Sequence, residues 1–110
     1  MIEDTIQRIE ARIQGAESVS GERRQELLQL LATLKSEVAD LSQTHAEEAG
    51  SIAGFTDVST HEATRAQPDP RLVELSLAGL TQSAKGFEAS HPRLMQAVDA
   101  VSRALANLGI

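Results

Sequence analysis

The run Leu27-Leu28-Gln29-Leu30-Leu31-Ala32-Thr33-Leu34-Lys35-Ser36-Glu37-Val38-Ala39-Asp40-Leu41 decides the fold class. Leu27, Leu31, Leu34, Val38 and Leu41 alternate steps of four and three, which returns each side chain to one face of an α-helix, and no strand alternation competes. The same spacing recurs in three further stretches: Ile2, Ile6, Ile9, Ile13; Val73, Leu77, Leu80, Ala84, Phe87; and Leu94, Val98, Val101, Leu105, Leu108. An all-α chain follows, an antiparallel helical bundle of about four helices with a long second helix and coiled-coil-like packing.

Helix stop and start chemistry sets the boundaries. Gly15 to Gly21 interrupts the pattern with glycines and serines, and Ser20 is placed to cap the next helix. Asp69-Pro70 puts a capping carboxylate before a proline at the first helical position, and His91-Pro92 repeats the proline device. Gly109 is placed as a left-handed cap with Ile110 folding back beyond it. The expected helices are 2–17, 21–49, 70–88 and 92–108, in one domain spanning 1–110. Residues 50–65 are the ambiguous stretch. Gly50 and Gly54 each cost a helix about 1 kcal/mol, yet the heptad phase runs on through His45 and Glu48 to Ile52 and Phe55. A frayed or kinked continuation of the second helix is expected there, with Ser59 and Glu62 offering a capping box for a restart.

A second helix of about 43 Å outruns a first helix of about 22 Å, so part of its Leu34, Val38, Leu41 seam needs other cover. Leu75 lies opposite the Val73, Leu77, Leu80 stripe and Leu72 widens it, which leaves the start of the third helix apolar on nearly every side. A homo-oligomer, most simply a two-fold dimer burying Leu72 and Leu75 beside that seam, is therefore expected. Gly79, inside the same helix, marks a close helix crossing.

Composition removes several function classes. The chain has 110 residues and no Cys, so it has no disulfide framework, zinc-thiolate site or cysteine nucleophile. Phe55 and Phe87 are its only aromatics, too few for a base-stacking platform. The net charge is −6, concentrated in residues 1–50 (10 acidic, 5 basic), and the basic residues are dispersed, so neither nucleic acid nor an anionic membrane is an expected partner. Acids open the chain at Glu3 and Asp4, and no apolar run reaches the roughly 18 residues of a membrane span; a cytoplasmic protein is expected.

Phe87-Glu88-Ala89-Ser90-His91-Pro92-Arg93-Leu94, followed by Leu105-Ala106-Asn107-Leu108-Gly109-Ile110, resembles a family of short bacterial proteins, the domain-of-unknown-function family numbered forty-four oh-four. The likeness is closest over the last 24 residues. It implies a small helical bacterial protein in which Phe87, His91, Pro92, Leu105, Leu108 and Gly109 form a structural motif, and it implies no activity, substrate or catalytic residue.

Candidate chemistry is sparse. His45 on the seam with Glu48 one turn later offers two metal ligands where zinc takes at least three from protein, so a polar residue fixing helix register is the stronger reading. His61 beside Glu62 reads as solvated. His91 reads as a helix cap through its neutral imidazole rather than as a base, since no convincing nucleophile accompanies it. Glu47 and Glu48 are the densest carboxylate pair, without the repeated Glu-x-x-His units of a di-iron bundle, and the glycines fit no phosphate loop. No catalytic residue, cofactor or metal is expected. The leading expectation is a non-enzymatic protein-protein interaction or self-associating module, and the alternative is a small-molecule or metal-binding bundle using His45.

Overall fold

The computed structural model describes residues 2–109 as five α-helices: α1 (Ile2–Gly15), α2 (Gly21–Ser42), α3 (Ala46–Ala63), α4 (Pro70–Ala84) and α5 (Pro92–Gly109), with a 3-10 turn at Lys85–Phe87. There is no strand among the described residues. α3 touches all four other helices, while α2 packs on α1, α3 and α5, and α4 packs on α3 and α5.

The expected apolar faces form the core. Ile6, Ile9 and Ile13 of α1 meet Leu27, Leu31, Leu34, Val38 and Leu41 of α2, and Leu80, Leu94, Val98, Val101 and Leu105 complete the cluster. Each such side chain contributes about 1.5–3 kcal/mol on burial. Leu34, Val38 and Leu41 are fully buried within the chain, so the part of the expected oligomer interface assigned to them is corrected: they are core. Their cover comes from α3 and α5 folding back on α2.

The second helix is shorter than expected and the chain has one helix more. α2 ends at Ser42 because three polar residues compete for its last carbonyls. Ser42 Oγ donates to Ala39 O at 2.6 Å, Thr44 N donates to Leu41 O at 3.1 Å, and His45 N shares that oxygen at 2.8 Å. His45 then leaves helical geometry with φ −136° and ψ 64°, so it ends a helix instead of occupying a seam. The heptad phase is lost at this break: Ile52 is buried and Phe55 is exposed.

Downstream, the expected fraying does not occur. α3 is a regular helix through Gly50, Gly54 and a run of hydroxyl residues. Thr56, Ser59, Thr60 and Thr64 donate to the carbonyls four residues back, at 2.8, 2.7, 2.8 and 2.7 Å, which satisfies hydroxyls that are buried or nearly so. Ser59 is thus a mid-helix core residue and starts no new helix. The low side-chain volume of α3 (Ala49, Ala53, Ala63 buried) lets neighbouring helices approach it, and that packing outweighs weak intrinsic propensity.

The caps follow the sequence at two places. Ser20 accepts from Arg23 N at 3.3 Å, and Asp69 accepts from Arg71 N at 2.9 Å with Pro70 opening α4. α1 stops at Gly15, two residues early. Arg24 closes the connection, reaching Ile13 O at 3.3 Å, Ala16 O at 2.9 Å and Val19 O at 3.1 Å. α4 gives way to the 3-10 turn after Ala84, before α5 opens at Pro92. Of the C-terminal motif, Leu105 is buried, while Phe87 and Leu108 pack half-buried against the core. α5 runs through Gly109, so the glycine expected as a left-handed cap is part of the helix, and the expected fold-back of Ile110 lies outside the described residues.

Candidate protein-interaction surface

The large apolar side chains that remain exposed among the described residues are Phe55, Val58, Leu72 and Leu75, at 40, 49, 39 and 52% of full exposure. All four lie on the α3–α4 hairpin. Helical spacing explains why. In α3 the inward row Ala49, Ile52, Thr56, Ser59, Thr60, Ala63 leaves Glu48, Ser51, Phe55 and Val58 on the opposite side. In α4 Val73, Ser76, Leu80 and Ala84 turn inward, leaving Leu72, Leu75 and Gln82 outside. Leu72 and Leu75 are therefore available for contact, on the face away from the Val73 and Leu80 stripe.

Gly79 joins the two outer rows. A Cβ on Gly79 would stand 2.6 Å from Cδ1 and 3.0 Å from Cζ of Phe55, so the ring of Phe55 lies on the glycine backbone. This is the close crossing expected at Gly79. Glu48, Ser51, Phe55, Gly79, Gln82 and Ser83 line a shallow open groove of about 310 Å³ there. At the other end of the hairpin Arg65 Nη1 bonds Glu62 Oε1 at 2.9 Å, and Arg71 lies 3.8 Å from Glu74.

His61 is exposed, as read from the sequence, while His45 and His91 are placed differently from their sequence readings. His45 Nδ1 bonds Thr44 Oγ1 at 2.8 Å and His91 Nδ1 bonds Ser90 Oγ at 2.9 Å. Both rings stand edge-on to Phe87, at centroid distances of 5.1 and 5.6 Å, and 6.4 Å from each other. The fold thus joins the break after α2 to the start of α5, a juxtaposition across 46 residues that no local spacing signals. His45 meets a second imidazole rather than the expected Glu48 partner, and no group of three or more potential metal ligands forms among the described residues. At the start of α5 the imidazole of His91 takes Ser90 Oγ as its partner instead of a backbone N–H of the helix, so its expected capping role is corrected.

His61 is half of an interhelical contact. Arg12 Nη1 lies 2.8 Å from His61 Nδ1; a guanidinium only donates, so this nitrogen carries the lone pair and the ring proton sits on Nε2. One turn earlier Arg8 bonds Asp57 Oδ2 through Nη2 at 2.9 Å and Nε at 3.3 Å. The α1 pair Arg8 and Arg12 therefore matches the α3 pair Asp57 and His61, each with four-residue spacing. That matched spacing is the signal in the sequence, and it becomes readable once α3 is known to be helical through residue 61. These groups hold α1 on α3 and answer one another's charges.

No described helix is long and apolar enough to cross a membrane. No curated protein and no solved structure matches the chain. The family model described as domain of unknown function (DUF4404) matches residues 27–110, from the leucine run of α2 through the Phe87 to Leu94 segment to the C-terminus; by that match, over more than half its length, the chain belongs to this family.

Proposed function

We propose that the chain works through protein-protein contact rather than catalysis, and that its contact surface is the outer face of the α3–α4 hairpin. The observation that carries this reading is the concentration of Phe55, Val58, Leu72 and Leu75 on one hairpin, while the large apolar residues of the other helices are covered. Scattered exposed leucines need no explanation, but a contiguous apolar face with a polar margin is a mark of an interaction site. The dispersed basic residues and net charge of −6 argue against nucleic acid or an anionic lipid surface as the partner, and the working compartment under this reading is the cytoplasm.

The test is photo-crosslinking in the cells that make the protein, with benzoylphenylalanine placed at Val58, at Leu75 or at exposed Gln29 of α2. Protein adducts from the two hairpin positions and none from Gln29 are expected. Equal yields at all three positions, or none at Val58 and Leu75, would remove this surface as the functional one.

A further inference from the structure

We infer that the partner taken by this face is a second copy of the chain, related by a two-fold axis running along the hairpin so that α3 of each copy lies on α4 of the other. The inference rests on the reading of the α3–α4 face as the contact surface and adds the identity and orientation of its occupant.

The register of the hairpin supplies the argument. Phe55 lies on Gly79 and the two helices run in opposite directions, so each step forward in α3 is a step back in α4. Val58 is then level with Leu75 and Ser76, Glu62 with Leu72 and Arg71, and Glu48 with Lys85. A two-fold axis along the hairpin preserves these levels while exchanging the helices. Val58 of one copy then meets Leu75 of the other, and Phe55 of one copy comes level with Gly79 of the other, over which that copy's own Phe55 ring lies.

The charges choose the same arrangement. Neither Glu48 nor Lys85 has an ion-pair partner in the chain among the described residues, and both are exposed. In the proposed pair each Glu48 stands beside the other copy's Lys85, twice by symmetry, and each Glu62 beside the other copy's Arg71. A copy laid end for end would stack α3 on α3 and carry each Glu48 away from the other copy's Lys85, to the opposite end of the hairpin.

The area sets the strength. Fourteen steps of about 1.5 Å from Glu48 to Glu62, across two helices about 10 Å wide, give a face of about 400 Å². Two such faces bury about 800 Å², well below the roughly 1,200 Å² of the smallest stable interfaces, so a weak, reversible dimer is expected. The contact is isologous, so it closes at two copies.

Sedimentation equilibrium between about 5 and 500 μM tests the proposal. The expected result is a reversible dimer that Leu75→Glu weakens at least tenfold while its circular dichroism and unfolding midpoint stay unchanged. Glu48→Lys and Lys85→Glu should each weaken self-association, and an equimolar mixture of the two should restore it, because both cross-pairs become attractive only in the mixed dimer. A monomer throughout the range overturns the second copy as partner; protein adducts of different mass from Val58 would still support the contact face. A dimer indifferent to Leu75→Glu overturns the partner's placement on this face, and failed rescue in the mixture overturns the α3-on-α4 arrangement.

Discussion

Replacing Arg24 by Met keeps the aliphatic stem and removes the donors that close the α1–α2 connection. The guanidinium, half-buried, holds three backbone carbonyls: Ile13 O at 3.3 Å, Ala16 O at 2.9 Å and Val19 O at 3.1 Å. Two of them belong to the end of α1 or just past it, where a cation also complements the helix dipole. A hydrogen bond from a charged donor contributes about 1.5–3 kcal/mol, but the three share one side chain and the freed carbonyls regain water in part, so a loss of about 2–3 kcal/mol is expected. For a domain of this size that is a fall in Tm of roughly 10 °C. Arg23 is the control: it is exposed and makes a single bond to Asn107 O at 3.3 Å, so Arg23→Met should cost about 0.5 kcal/mol. Arg24→Lys should fall between wild type and Arg24→Met, because one ammonium cannot span three carbonyls in the guanidinium's fork geometry. Urea unfolding followed at 222 nm, with the slope checked for constancy, reads all three. Coincident midpoints for Arg24→Met and Arg23→Met would refute the assignment of a structural clamp to Arg24.

Leu105→Ala should cost about 2–5 kcal/mol as a large-to-small change at a fully buried site, read as a drop in the urea midpoint; an unchanged midpoint would contradict the α5 core face. Asp57→Asn should cost about 1 kcal/mol by weakening the α1–α3 contact with Arg8 and Arg12, and the difference from wild type should shrink in high salt, measured by unfolding at two ionic strengths. Gly79→Ala should leave monomer stability within about 1 kcal/mol, since better helix propensity offsets the displaced Phe55 ring. The same variant should weaken self-association in sedimentation, because the reshaped face no longer fits its copy.

The periodic placement of large apolar residues fixed the helical class and the inward faces of α1, α2, α4 and α5 without tertiary information, because a step of three or four residues has one geometric meaning on a helix. Ser20, Asp69, Pro70 and Pro92 gave their helix starts the same way, through chemistry that acts within one turn. Gly79 and the exposed pair Leu72 and Leu75 were likewise legible, the first because a helix interior tolerates glycine where a neighbour comes close, the second because they stand opposite an apolar stripe. What the sequence left undecided was decided by packing. The break at Gln43 to His45 has no glycine or proline to announce it, and arises where hydroxyls and backbone amides compete for the last carbonyls of α2. α3 is helical against its own composition because its small and hydroxyl-bearing residues sit at the centre of four neighbours, where backbone bonding and close approach outweigh propensity. The meeting of His45 with His91, and of Phe55 and Val58 with the face of Leu72 and Leu75, depends on where α3 folds back, and an interval along the chain carries no information about that distance in space.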